Sequence, residues 1–210
     1  MPDALIWGAS GGIGCALTQL LKQEGWRVFA AARHEERVAE NADYVYHFDA
    51  ADSYSFDTVS MAVAQTVEQL DLIVYAAGGL TAAPIDKLAP EDWQATIDAN
   101  FTGAFHAARS GLDLLKKDGH MMLISAYVDK ITLPRMSAYT AAKAGLERFF
   151  TILQKENRKR NLTIVRPPAV DTPFWENVPF NLPDKALQPQ DVAQAILTQY
   201  GDGKSGELNL

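Results

Sequence analysis

Tyr139 and Lys143 stand four residues apart in Ser137-Ala138-Tyr139-Thr140-Ala141-Ala142-Lys143-Ala144-Gly145, a spacing that puts both side chains on one face of a helix starting near Ser137. A phenol beside an ammonium is proton-handling chemistry. A free tyrosine titrates near 10, and bringing it to about 7 takes on the order of 4 kcal/mol of differential stabilisation. A cation at the position of Lys143 is a source of that energy. Tyr and Lys at this spacing also occur by chance on many surface helices, so the pair acquires meaning only from what surrounds it.

A second chemical feature lies far upstream. Gly8-Ala9-Ser10-Gly11-Gly12-Ile13-Gly14 follows one short apolar run and opens an amphipathic one. Glycines there permit a tight turn and close approach of a pyrophosphate, whose charge backbone N–H groups and a helix N-terminus can meet. The backbone from Gly8 through Ser10, Gly12 and Ile13 to Gly14 is therefore a candidate phosphate cradle; the bland alternative is a tight turn. The next apolar run ends at Ala31-Ala32, where an NAD-specific fold would place an acid for the adenosine ribose. Arg33 follows instead, and its planar fork suits a 2′-phosphate. NADP(H) is favoured over NAD(H) on this ground, with Arg37 either assisting or facing solvent.

The elements that must position these groups follow from the hydrophobic pattern. Short apolar runs alternate with longer amphipathic ones: Ala4–Trp7 then Ile13–Glu24; Arg27–Ala32; Tyr44–Phe48 then Phe56–Gln69; Leu72–Tyr75 then Trp93–Leu115. The series continues with Met121–Ser125 then Ala138–Asn157, Thr163–Arg166 then Asp191–Tyr200, and finally Glu207–Leu210. Such alternation predicts an α/β fold, a Rossmann-type doubly wound parallel sheet of about seven strands with helices on both faces. Runs such as Leu72-Ile73-Val74 are continuously apolar, as strands covered on both faces are. Residues 1–210 read as a single domain that both binds the dinucleotide and does the chemistry. Within it the proline-rich stretch 171–189, with Phe174, Trp175 and Phe180, reads as a substrate loop or lid over the C-terminal edge of the sheet.

Composition narrows the class further. A chain of 210 residues that is 48% hydrophobic and 21% charged fits one compact globular unit. The net charge of -7 argues against nucleic acid as a partner, because neutralising phosphates needs a concentrated basic surface. The one basic cluster, Lys155 to Arg160, reads as the solvated end of a helix. No apolar run approaches the roughly 20 residues of a membrane span, and Met1-Pro2-Asp3 leads directly into a strand, so no membrane partner and a cytoplasmic location are expected. Four scattered histidines and the single Cys15, read as a small packing residue, imply neither a metal site nor a disulfide.

The Gly8-xxx-Gly12-x-Gly14 spacing and the Tyr139-xxx-Lys143 segment together resemble the short-chain dehydrogenase/reductase family, and the match spans essentially the whole chain. The resemblance implies an NADP(H)-dependent oxidoreductase that interconverts a carbonyl and an alcohol on a small or medium organic substrate. By it Tyr139 is the general acid or base, and Lys143 also holds the nicotinamide ribose. Asn100, in Ala99-Asn100-Phe101-Thr102-Gly103, resembles the asparagine that kinks its helix and holds a water for proton relay. Asp49 and Ala50 match the place where the adenine ring is held, and Ala77 with Gly78 also falls among the cofactor contacts. Pro167-Pro168-Ala169-Val170-Asp171-Thr172 resembles the segment whose Val170 backbone and Thr172 contact the nicotinamide carboxamide. A homodimer or homotetramer, packed through the helices around Trp93–Lys116 and Ala138–Asn157, is implied as well.

Several positions depart from the pattern. The register usual for the catalytic serine holds Ala126, and Ser125 stands one place earlier. Either the following loop is one residue longer and Ser125 serves, or another donor such as Tyr127 assists Tyr139; strand alternation favours Ser125. Trp7 replaces a threonine, Tyr75-Ala76-Ala77-Gly78 stands for Asn-Asn-Ala-Gly, and Pro168 replaces a glycine. These departures motivate a second reading, a catalytically silent NADP-binding sensor on the same fold. Phe174, Trp175, Phe180 and Tyr127 line an apolar pocket in one reading and are lid packing in the other.

Overall fold

The computed structural model describes all residues, Met1–Leu210. Seven strands lie in one sheet, every pairing parallel: β1 (Asp3–Trp7), β2 (Arg27–Ala32), β3 (Tyr44–His47), β4 (Leu70–Tyr75), β5 (Leu115–Ile124), β6 (Asn161–Arg166) and β7 (Gly206–Asn209), in the spatial order β3-β2-β1-β4-β5-β6-β7. The chain runs outward from β1 to β3, then returns to place β4 on the other side of β1. That reversal opens a crevice beyond the C-terminal ends of β1 and β4, where such sheets receive ligands.

Helices cover both faces because the central strands are apolar on both. Side chains of α2 (Ser53–Ala64), α4 (Gly103–Gly111) and α5 (Ser137–Glu156) meet Leu5, Trp7, Ile73 and Leu123 on one face. On the other, α1 (Gly12–Gln23) and α6 (Pro189–Gly201) meet Ile6, Val28, Val74 and Met122. All five residues of β1 are buried, whereas the edge strands β3 and β7 are four residues long and partly exposed. Short edges of this kind limit unwanted strand addition.

The register sets Trp7 beside Tyr75 on neighbouring strands, so two of the departures read from the sequence are direct neighbours. Trp7 packs between Phe48 and Phe56, with ring centroids 5.1 and 5.0 Å away, and its indole N–H is buried without a partner. Burying so large a side chain contributes roughly 1.5–3 kcal/mol, which offsets the roughly 1–3 kcal/mol cost of one unpaired donor.

Several boundaries differ from the sequence reading, three of them for a clear physical reason. The segment read as one helix over Trp93–Leu115 is α3 (Pro90–Ile97), a π-helical turn (Asp98–Thr102) and α4, after which Leu115 already begins β5. The π turn leaves hydrophobic periodicity almost unchanged, which hides it from a pattern search. Helix α2 starts at Ser53 rather than Phe56 because the Asp52 carboxylate accepts the Tyr54 N–H at 2.9 Å and caps it. Strand β5 extends back through Lys116, Lys117 and Asp118, whose polarity reads as loop.

Candidate functional site

Tyr139 and Lys143 lie on the first turns of α5, whose N-terminal end faces the crevice edge of the sheet. Lys143 is buried, and its ammonium donates to the Ile124 carbonyl at 2.8 Å, at the last residue of β5. Burial pushes the lysine down to about 8, partly opposed by Glu147 one turn further along α5. Glu147 is itself gripped by Arg166 through two hydrogen bonds of 3.0 and 2.6 Å.

The Tyr139 ring, half-buried, packs with Phe174 at 5.2 Å and with an apolar group that includes Leu80, Met136 and Val178. Lys143 Nζ lies 5.8 Å from its ring centroid. The sequence led us to expect a cation strong enough to draw the phenol toward neutrality. The structure shows an opposing effect: burial pushes the Tyr139 phenol above its ordinary value.

Asn100 occupies the π turn and is fully buried. Its amide nitrogen donates to the carbonyls of Gly79 at 2.6 Å and Thr96 at 2.9 Å, while its Oδ1 is buried with no protein partner. A Cβ on Gly78 would come within 3.0 Å of that oxygen, so Oδ1 faces the loop after β4. Ser125 extends the β5–β6 ladder, its N–H donating to Val165 O at 2.7 Å, and its hydroxyl is buried and unpartnered. Strand alternation carries Ser125 onto the side of Met121 and Leu123, which pack with α5, and leaves Ala126 on the other. Tyr127, the rival hydroxyl, donates instead to the Leu210 carbonyl at 3.0 Å, with Lys130 Nζ stacked 4.3 Å from its ring centroid.

The glycine loop is built by contacts between strands. Gly8 and Ala9 both donate to Ala31 O, at 2.9 and 3.0 Å. Gly8 has a φ of +79°, and a Cβ there would fall 2.5 Å from the backbone of Ala77, so only glycine fits. Gly11 caps α1 without a side chain. The amides of Ser10, Gly12, Ile13 and Gly14 find no acceptor within the protein, the condition of a helix end awaiting an anion. Arg33, just past β2, is exposed and without an ion partner. Asp49 folds its carboxylate back on the Ala51 N–H at 3.0 Å, and Ala50 packs against the core beside it.

The segment after β6 closes the crevice from the opposite side. Pro167 is buried, and Val170 pairs with Leu187 in a short parallel bridge. The Val170 carbonyl is taken by the Trp175 indole N–H at 2.9 Å, leaving its N–H as the group open to a ligand. Thr172 rests on the glycine loop so closely that a Cβ on Gly12 would lie 2.3 Å from its methyl group. The sequence reading missed three groups that shape this region: the Ile124 carbonyl, the Gly79 carbonyl, and the Tyr75 hydroxyl, which donates to Ala99 O at 2.8 Å. Only Tyr75 left a trace in the sequence, as a departure from the expected asparagine.

Comparison with known proteins agrees with this architecture. Residues 3–181 match the short chain dehydrogenase family. An uncharacterized oxidoreductase of Staphylococcus aureus (strain USA300) is 29% identical, the alignment covering 98% of this chain and 94% of that protein. A counterpart in Staphylococcus epidermidis is 28% identical over 92% of this chain and 88% of its own length. Among solved structures, an alcohol dehydrogenase from the archaeon Thermococcus sibiricus, complexed with 5-hydroxy-NADP, superposes with a TM-score of 0.91 at 26% identity, covering 100% of this chain and 96% of that one. A 3-ketoacyl-(acyl-carrier-protein) reductase from Brucella melitensis, complexed with NADH, shares the fold at a TM-score of 0.87 and 18% identity, covering 100% and 96%. With its parallel sheet, its glycine loop and the Tyr139 and Lys143 helix, the chain belongs to the short-chain dehydrogenase family of oxidoreductases.

Proposed function

We propose that this protein is an NADP(H)-dependent reductase or dehydrogenase that interconverts a carbonyl and an alcohol on a small or medium organic molecule. The observation that carries the reading is the placement of Lys143, buried against the end of β5 one helical turn beyond Tyr139, together with two buried polar atoms that have no protein partner, Ser125 Oγ and Asn100 Oδ1. Buried unpaired groups are uncommon, and at the mouth of an α/β crevice they await a ligand or a proton path.

The residues present fit a dinucleotide. The free amides of Ser10, Gly12, Ile13 and Gly14 would hold its pyrophosphate, Arg33 the 2′-phosphate, Asp49 and Ala50 the adenine, and Ala77 and Gly78 the central ribose region. Lys143 would hold the nicotinamide ribose, and Pro167, Val170 and Thr172 the carboxamide end. Bound there, the nicotinamide would supply or accept the hydride.

Tyr139 performs the proton step. Its raised titration keeps the phenol protonated at neutral pH, the form that donates to a substrate oxygen as reduction proceeds. Lys143, at about 8, remains mostly ammonium at pH 7 and supports negative charge developing on the phenol oxygen. Ser125 orients the substrate oxygen, and Asn100, through its free Oδ1, anchors the path by which the proton is replaced. The half-buried Phe174, Trp175 and Phe180 of the stretch 171–189 form an apolar lid over Tyr139.

A panel of ketones, aldehydes, quinones and pterins, followed by nicotinamide absorbance with NADPH, tests the reading. Turnover of at least one class is expected. NADPH binding with no turnover across the panel, and a biological activity untouched by Tyr139→Phe, would leave the silent sensor as the answer. Exposed Phe105 and Ile152, on α4 and α5, provide the apolar face for a homodimer or homotetramer, and light scattering that returns a 23.0 kDa monomer would refute that assembly.

A further inference from the structure

We infer that the Tyr75 hydroxyl is a positioning residue for Asn100, fixing the π turn from beneath so that Oδ1 is presented to the crevice. The inference rests on the functional reading above. Tyr75 ends β4, is fully buried, and reaches across to donate to Ala99 O at 2.8 Å. Ala99 lies inside the π turn Asp98–Thr102, next to Asn100. A π turn widens the backbone ladder and leaves carbonyls without their usual helical donors. The phenol satisfies one of them.

Space for the phenol is provided by a residue on the same turn. A Cβ on Gly103 would lie 2.1 Å from the Tyr75 hydroxyl and 2.9 Å from Asp98 O, so the first position of α4 must be bare for the hydroxyl to enter. Burial, with Asp98 nearby, pushes the Tyr75 phenol well above its ordinary value, which keeps it a donor at every accessible pH. It takes no proton from the reaction. Its contribution is geometric: the opposite side of the turn is held by Asn100 itself, through Gly79 O and Thr96 O. Releasing the Ala99 carbonyl removes one of the ties that aim the unpaired Oδ1.

Tyr75 also stands where the family resemblance places an asparagine, next to Trp7 in register. An asparagine at the end of β4 is too short to span the same gap.

The test is steady-state kinetics with a turned-over carbonyl substrate and NADPH, comparing wild type, Tyr75→Phe, Asn100→Ala, Tyr75→Phe/Asn100→Ala and Tyr139→Phe at a temperature well below unfolding. Tyr75→Phe is expected to lower kcat about tenfold, as sub-ångström misplacement of a reacting group does, with the KM for substrate and the Kd for NADPH within about twofold. In the Asn100→Ala background the same change should cost nothing further, because the two act through one geometry. A Tyr75→Phe enzyme with lowered Tm but wild-type kcat, or one whose loss multiplies with that of Asn100→Ala, would overturn the inference. Should Tyr75→Phe fail to fold, Gly103→Ala displaces the hydroxyl from the other side and must give the same kcat loss; full turnover in that variant would overturn it as well. Failure of the functional reading is distinguishable, since there the wild type itself turns over no carbonyl substrate, or Tyr139→Phe turns it over as fast as the wild type.

Discussion

The two ends of the sheet treat polar groups in opposite ways. At the N-terminal end, Asp3 pairs with Arg27 at 2.5 Å, Asp71 holds both Lys116 at 2.8 Å and the Asp3 N–H at 2.7 Å, and Asp43 joins Lys22 to the Val28 N–H. At the C-terminal end, around the crevice, Ser125 Oγ and Asn100 Oδ1 are buried without partners, four amides of the glycine loop have no acceptor, and Arg33 is unpaired. Both ends belong to the same strands. One has been closed by its own charges, and the other has been left open for something that is not protein.

If that contrast has functional meaning, changes at the two ends must be felt by different measurements. The largest effect is expected from Tyr139→Phe, on the order of 10³-fold lower kcat with little change in Tm, since the proposed proton step passes through this hydroxyl while its ring packing is kept. A Tm drop equal to that of the paired-end variants, with activity retained, would break the comparison.

His120 sharpens it. This residue lies in β5 opposite Asn161, the first residue of β6, and so belongs to the closed end; yet its Nδ1 is buried and unpartnered while its Nε2 meets Thr163 Oγ1 at 2.7 Å. Burial pushes His120 down to about 4, below the ordinary value of 6.5. The unfolded chain therefore binds the extra proton as pH falls from about 6.5 to about 4, and stability falls with it, by up to about 3 kcal/mol. Urea unfolding of wild type and His120→Gln across that range should show a shallower decline in the variant; identical slopes would remove the histidine from the account.

Two smaller effects complete the set. Asp71→Ala, which strips Lys116 and the Asp3 N–H of their acceptor, should cost about 2 kcal/mol in denaturant unfolding and leave kcat unchanged. Arg33→Ala should weaken NADPH about tenfold in a binding titration, leave NADH binding close to wild type, and leave Tm unaltered. Equal losses for both cofactors would overturn the assignment of the 2′-phosphate to Arg33.

Much of this was legible before any coordinates. The strands β1, β4 and β6 were evident because burial on both faces removes polar residues, and that signal is independent of partner identity. The glycine loop and the Tyr139 to Lys143 spacing were evident because each depends on neighbours in sequence. What could not be read depends on neighbours in space: the Ile124 carbonyl that holds Lys143, the Trp175 indole that occupies Val170 O, and the Tyr75 hydroxyl under the π turn. The effect of burial on the Tyr139 phenol was hidden for the same reason, since spacing on a helix says nothing about what encloses the ring. Tyr127 is the clearest instance, a plausible donor by position whose hydroxyl is spent on a residue at the far end of the chain.

The contact between Gly8 and Ala77 has a consequence for how such a chain can drift. With a Cβ at position 8 only 2.5 Å from the Ala77 backbone, any side chain there forces β1 and β4 apart at the centre of the sheet, whether or not a dinucleotide ever binds. A descendant that lost its chemistry would still have to keep that glycine in order to fold. On α5 the Lys143 ammonium is tied to the Ile124 carbonyl, but the Tyr139 hydroxyl carries no comparable obligation. For lineages that inherit this architecture, the glycine at position 8 is thus a marker of ancestry and topology, and under the proposed function the phenol on α5 is the marker of whether the trade is still practised.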